Sequence, residues 1–195
     1  MKKLYFFDFD GTLTYKDTMF LFLKFCNPTK FYMQFALHVP LFILLKLKLA
    51  EAEKVKKSLI FKVLKNETKQ SLEKKSQLFF EAEFPQIIRE NALDFIKNID
   101  RENTESYIVS ASLDIWVQPF AKHFNMELLA TKAEFINDQL TKNFAGANCN
   151  KIEKVNRIKE AISGKKYDKT IAFGDTSGDS AMLKWADESH FQFFH

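Results

Sequence analysis

The alternation of apolar and polar positions divides the chain into a short strand, a long helical stretch, and a tail in which strands and helices take turns. Residues 4–7 form an unbroken apolar run, which predicts a strand buried on both faces. Gly11 stops it, because glycine lets the backbone turn sharply where other residues resist. No convincing strand pattern follows for some seventy positions. Asp17 is placed to cap a helix carrying Met19, Leu21, Phe22 and Phe25. Asn27-Pro28 ends that helix, and Pro28 suits the first turn of the next. Residues 31–49 are very apolar, but His38, Pro40, Lys46 and Lys48 interrupt them. Two amphipathic helices are expected near 51–64 and 68–80.

The remainder predicts a helix over 85–99, a strand over 106–110, and a helix over 113–124 kinked or broken by Pro119. A strand at 126–130 and a hairpin around Asn137-Asp138 come next. Ile152, Val155, Ile158 and Ile162 form a helical stripe ended by Gly164. A strand at 169–173, a short helix at 180–186 and a last strand at 191–194 complete the pattern. Strands alternating with helices imply an α/β fold with a Rossmann-like parallel sheet and right-handed crossovers. Residues 1–14 and 83–195 are expected to form this core, and 15–82 a helical cap inserted after the first strand.

Composition changes this picture in three places. Phenylalanine is abundant, 22 residues against 5 Tyr and 2 Trp, which fits a bias toward Phe and Lys. The two cysteines, Cys26 and Cys149, are far apart, so a reducing compartment is expected and no disulfide framework. Nothing resembles a zinc site, and Asp8 interrupts the first apolar run too early for a signal peptide. The charge of +4 is uneven: residues 15–82 hold 13 lysines against 6 acids, a net of +7 in an otherwise mildly acidic protein. That basic segment reads either as a solvated helical surface or as a face toward phosphate or anionic lipid. Nucleic acid is not an expected partner, since the lysines are scattered and no binding motif is present.

The candidate chemistry lies at the expected strand ends. Asp8 and Asp10 follow the first strand, where open α/β sheets form ligand sites. Two like charges in an apolar setting are costly unless a cation or a reaction uses them. Phe173-Gly174-Asp175-Thr176-Ser177-Gly178-Asp179 places two more acids in a glycine-containing loop between a strand and a helix. Ile108-Val109-Ser110-Ala111-Ser112 ends another strand with two hydroxyl residues, of which Ser112 suits a helix N-cap. Cys149-Asn150-Lys151-Ile152-Glu153-Lys154-Val155 offers two lysines.

Asp8-Phe9-Asp10-Gly11-Thr12-Leu13-Thr14 resembles the first motif of the haloacid dehalogenase superfamily, and the segments around Ser110, Lys154 and Asp175 resemble the other three. The order of motifs, with an insertion between the first and second, resembles the phosphoserine phosphatase-like subfamily. The Cys149 to Val155 segment and Asp114-Ile115-Trp116 look closest to a branch of uncharacterised hydrolases that also contains bacterial phosphatidylglycerophosphate phosphatases.

The resemblance implies a Mg²⁺-dependent phosphomonoesterase. Asp8 would form an aspartyl-phosphate, and Asp10 would act as acid and then base. Thr12, Ser110 and Lys154, with Lys151 as the other candidate lysine, would hold the phosphoryl oxygens. Asp8, the Asp10 carbonyl and Asp175 would ligate the metal, with Asp179 supporting the loop or binding through water. The implied substrate is a phosphorylated small molecule or lipid. A phosphatidylglycerophosphate-like phosphatase at the membrane surface and a phosphotransferase using the same aspartate are the alternatives. The expected location is cytoplasmic. Residues 31–49 read either as a helix buried in the cap's own core or as a peripheral membrane contact at the inner face.

Overall fold

A computed structural model describes residues 1–195. Five parallel strands form one sheet in the order β3-β2-β1-β6-β7: β1 (Lys3–Phe7), β2 (Thr104–Leu113), β3 (Glu127–Thr131), β6 (Lys169–Gly174) and β7 (Glu188–Phe191). A separate hairpin joins β4 (Ala133–Ile136) to β5 (Gln139–Phe144). Its two-residue loop, Asn137 and Asp138, has positive φ at both positions, the geometry that matches the twist of paired strands.

β1 is central, and its side chains alternate between two cores. Leu4 and Phe6 join Tyr107, Val109, Val155, Ile158 and Met182 on one face. Phe7 and Phe9 join Ile108, Trp116, Phe120 and Phe173 on the other. Buried on both faces, the strand needs no polar side of its own. The first core is closed by α7 (Ile152–Ala161) and α8 (Ser180–Trp185). The second is closed by α5 (Glu90–Lys97), α6 (Asp114–His123) and the inserted helices.

Those inserted helices are α1 (Thr18–Cys26), α2 (Pro28–Lys46), α3 (Ala52–Val63) and α4 (Lys69–Ile87). The chain leaves the sheet and returns to it side by side. Tyr15 N–H donates to the Ile87 carbonyl at 2.8 Å, and Arg89 N–H donates to the Leu13 carbonyl at 2.9 Å. The Arg89 guanidinium fastens this neck to the Gly11, Thr14 and Phe194 carbonyls.

Several expected details differ. The expected helix start at Pro85 lies inside α4, which runs unbroken past position 82, and the real break is at Ile88 and Arg89. Pro119 neither breaks nor ends α6. The last strand ends at Phe191 rather than beginning there. Ser112 does not cap α6; Leu113 occupies that position without a side-chain bond.

Candidate active site

The site sits at the carboxyl ends of β1, β2 and β6, where the crossover reverses direction between neighbouring strands. Asp8 follows directly from β1, and its N–H donates to the Phe173 carbonyl of β6 at 2.9 Å. Its carboxylate is buried, with one oxygen, Oδ1, 2.5 Å from Lys154 Nζ. Lys154 lies in the first turn of α7 and is itself buried. Its other donors go to Asp179 Oδ1 at 2.6 Å and to the Val109 carbonyl of β2 at 2.7 Å. One ammonium therefore ties together the ends of three segments. Lys151, by contrast, is exposed, with its backbone at positive φ and its N–H bonded to the Gly178 carbonyl.

The remaining oxygens of the cluster face Thr12 and the β6 loop. The Thr12 hydroxyl lies 3.2 Å from Asp8 Oδ2 and 3.4 Å from Asp175 Oδ1. Asp179 Oδ2 accepts from the Asp175 and Thr176 N–H groups and from the Thr176 hydroxyl, which fixes the loop. Gly11 is required here on two counts. Its φ is +88°, and a Cβ at that position would fall 2.2 Å from Asp175 Oδ2.

Electrostatics follow from burial. Burial pushes the Asp8 carboxyl up to about 7 against the opposing pull of Lys154. Burial would lower the Lys154 ammonium, but Asp8 and Asp179 beside it hold it above the ordinary lysine range. Burial and the neighbouring Asp179 raise Asp175. Asp8, Asp175 and Asp179 each offer a carboxylate oxygen, and these atoms lie within 4.8 Å of one another. Of these three carboxylates Lys154 pairs with Asp8 and Asp179 only, so the cluster holds more negative than positive charge. That donor set fits a small divalent cation such as Mg²⁺.

Asp10 has partners of its own. Its Oδ1 accepts from the Thr18 N–H at 2.7 Å and the Thr18 hydroxyl at 2.6 Å, and its Oδ2 accepts from the Ser112 hydroxyl at 2.5 Å. Trp116 Nε1–H donates in turn to the Thr18 hydroxyl at 3.2 Å. Ser110 is buried at the end of β2, and its Oγ accepts from the Ser112 N–H at 3.0 Å. Sequence reasoning missed Thr18 and assigned Ser112 a capping role. The only sequence signal for either was a hydroxyl residue beside a motif.

Lys56 of α3 was missed as well. Its ammonium reaches the Ala111 carbonyl at 2.9 Å, beside Ser110 and Ser112. Burial lowers its pKa, while Asp10, Asp17 and Asp8 act in the opposite sense. It lines a cleft of about 470 Å³ with Ala111, Asn148, Asn150 and Lys151. The helical insertion thus brings a lysine to the end of β2 that carries Ser110 and Ser112.

Comparison with known proteins shows the family and the fold. The family model described as haloacid dehalogenase-like hydrolase matches residues 5–184. Protein CicA of Caulobacter vibrioides is 33% identical over 190 residues, covering 96% of this chain and 85% of its own. Among solved structures, a Bordetella pertussis Tohama I protein of unknown function superposes with a TM-score of 0.83 at 17% identity, over 97% of this chain and 89% of that one. A substrate-bound phosphoserine phosphatase superposes with a TM-score of 0.69 at 19% identity, over 98% of this chain and 86% of that one.

Proposed function

We propose, for a chain that belongs to the haloacid dehalogenase-like hydrolase family, hydrolysis of a phosphomonoester through a phosphoryl group carried on Asp8. The observation that carries this reading is the buried Asp8, whose Oδ1 is held by Lys154 and whose Oδ2 meets only the Thr12 hydroxyl. Oδ2 is the oxygen left to attack.

In the first step Asp8 Oδ2 forms a bond to phosphorus, and the bond from phosphorus to the leaving oxygen breaks. Asp10 supplies the proton that the leaving alkoxide needs. In the second step Asp10 takes a proton from water as that water attacks phosphorus. The bond to Asp8 then breaks, releasing phosphate and restoring the carboxylate. Thr12, Ser110 and Lys154 hold the phosphoryl oxygens and offset charge that grows in the transition state. Asp8, the Asp10 carbonyl and Asp175 would hold Mg²⁺, with Asp179 bracing the loop. When bound, the ion neutralises phosphoryl charge.

The similarity to a substrate-bound phosphoserine phosphatase supports a phosphate ester as the substrate class. A phosphorylated lipid at a membrane surface is a second reading, favoured by the exposed apolar residues of α2. A phosphotransferase would use the same aspartate, and product analysis separates the two.

The test is turnover of an aryl phosphate with Mg²⁺. We expect hydrolysis that stops in chelator and falls on the order of a thousandfold or more in Asp8→Asn. Wild-type rates in that variant would falsify the assignment of Asp8.

A further inference from the structure

The helix α2 has a core-facing stripe and an outer face that is equally apolar. Phe31 and His38 are buried, and Gln34, Phe42 and Leu45 are partly covered along the same side. His38 pins this side to α3, with Nδ1 2.7 Å from the Gln34 carbonyl and Nε2 3.0 Å from the Ser58 hydroxyl. The opposite side carries Met33, Leu37, Ile43 and Leu44, and Leu47 and Leu49 follow just beyond the helix. These are open to solvent: Leu37 is 65% exposed, Leu47 60% and Leu49 72%. Half of the large apolar side chains exposed anywhere in the protein lie between Tyr32 and Leu49. A helix apolar all round is ordinarily buried, and a contiguous exposed apolar face marks an interaction surface.

Charge identifies the occupant. From Thr18 to Ala50 the chain contains no acidic residue, while Lys24, Lys30, Lys46 and Lys48 flank the apolar face. Lys48 also rims a cleft of about 480 Å³ between the end of α2 and α3, whose floor includes Leu41, Leu49 and Val55 and where Lys54 is paired with Glu51. A second copy of this chain would bring like charge against like charge. An anionic bilayer complements both features, with apolar side chains in the acyl boundary and ammonium groups among the phosphates. No helix is long and apolar enough to cross a membrane.

We infer that the outer face of α2 and its flanking lysines form a docking surface for anionic lipid bilayers, with α2 lying in the plane of the interface. The surface is independent of the phosphatase reading, because none of its residues belongs to the Asp8 cluster.

The experiment is cosedimentation of the full chain with vesicles of phosphatidylcholine alone and of phosphatidylcholine mixed with phosphatidylglycerol, at low and high salt. Wild type should bind the phosphatidylglycerol vesicles, and salt should weaken that binding because surface charge is screened. Leu37→Glu with Leu47→Glu should reduce binding about tenfold or more. Both residues are exposed, so thermal unfolding should match wild type. Lys46→Gln with Lys48→Gln keeps the apolar face and should lose the preference for phosphatidylglycerol. Turnover of a soluble aryl phosphate without vesicles should be unchanged in both variants, which separates loss of docking from loss of the active site. The inference is overturned if wild type ignores phosphatidylglycerol vesicles at low salt. It is equally overturned if the Leu37/Leu47 variant binds them as well as wild type, or if the face instead drives a concentration-dependent dimer that this variant abolishes.

Discussion

Asp10 and Asp8 are two residues apart in the sequence, yet their surroundings differ in kind. Asp8 is gripped by a lysine, whereas Asp10 is held by neutral donors: the Thr18 N–H, the Thr18 hydroxyl and the Ser112 hydroxyl. In the proposed reaction the Asp10 carboxyl gives and takes a proton, and a hydroxyl such as that of Ser112 suits both states, because it can donate to the carboxylate or accept from the acid where an ammonium only donates. Trp116 fixes the Thr18 hydroxyl and so sets the direction of its proton toward Asp10. Thr18→Val removes that proton and keeps the side-chain volume. In the proposed reaction this change should slow esters of alkyl alcohols by about tenfold or more while slowing aryl phosphates far less, because a phenolate leaves without much help from an acid. Steady-state turnover across leaving groups of rising basicity measures this. A uniform loss across the series means that Thr18 only supports the fold.

At the scale of elements, β1 and β2 are held in register at their open end by a small polar cluster. Glu105 accepts from Lys165 and from Tyr107, and Lys2 lies 2.5 Å away. Lys165 foremost, then Lys2 and Tyr107, hold the Glu105 carboxyl down to about 2 from its ordinary 4.5. A carboxyl depressed in the folded state contributes stability above its unfolded pKa and loses it as pH falls through the folded value. The contribution of Glu105 should therefore be fully present above pH 4.5 and decline toward pH 2. Solvent screening at this half-exposed position limits it to about 1 kcal/mol. Urea unfolding of wild type and Glu105→Gln should differ by that amount at neutral pH and converge in acid; a gap that persists at pH 2 excludes the ion pairs as its cause. Elements of this kind were legible wherever local chemistry dictates them. The apolar run of β1 and the Asn137-Asp138 turn are such places, as are the glycine-bounded acids after β6. Prolines misled, because Pro85 and Pro119 lie inside helices that continue through them. Pro85 is exposed, so the carbonyl that its ring leaves unbonded can turn to solvent. The Asp10 partners were hidden for another reason: Ser112 lies 102 positions away, and only the fold brings it there.

At the scale of the whole molecule, the inserted helices and the sheet share one apolar core. Phe22 of α1 stacks on Trp116 at 5.2 Å, and Phe79 of α4 meets Phe120 at 6.2 Å. The β4–β5 hairpin adds a second seam. Lys69 N–H donates to the Asp138 carbonyl, Leu140 N–H donates to the Glu67 carbonyl, and Phe61 packs on Phe144. Buried apolar residues of α1, α3 and α4 belong to the same cluster as those of β1, β2 and α6, so the insertion has no core of its own on which to melt alone. Cap and sheet should therefore unfold in one transition, as small domains with a single core do. The two tryptophans allow this to be checked. Trp116 reports the seam, whereas Trp185 packs edge-on against Phe6 at 5.7 Å in the opposite core. Fluorescence of Trp116→Phe and Trp185→Phe variants should each give urea midpoints that coincide with loss of helical circular dichroism. Phe79→Ala removes a buried ring from the seam and should cost about 3 to 5 kcal/mol. That loss should move both probes together, since destabilising the seam destabilises the single core. If Phe79→Ala instead lets Trp116 change well before Trp185, the insertion is a separately melting unit.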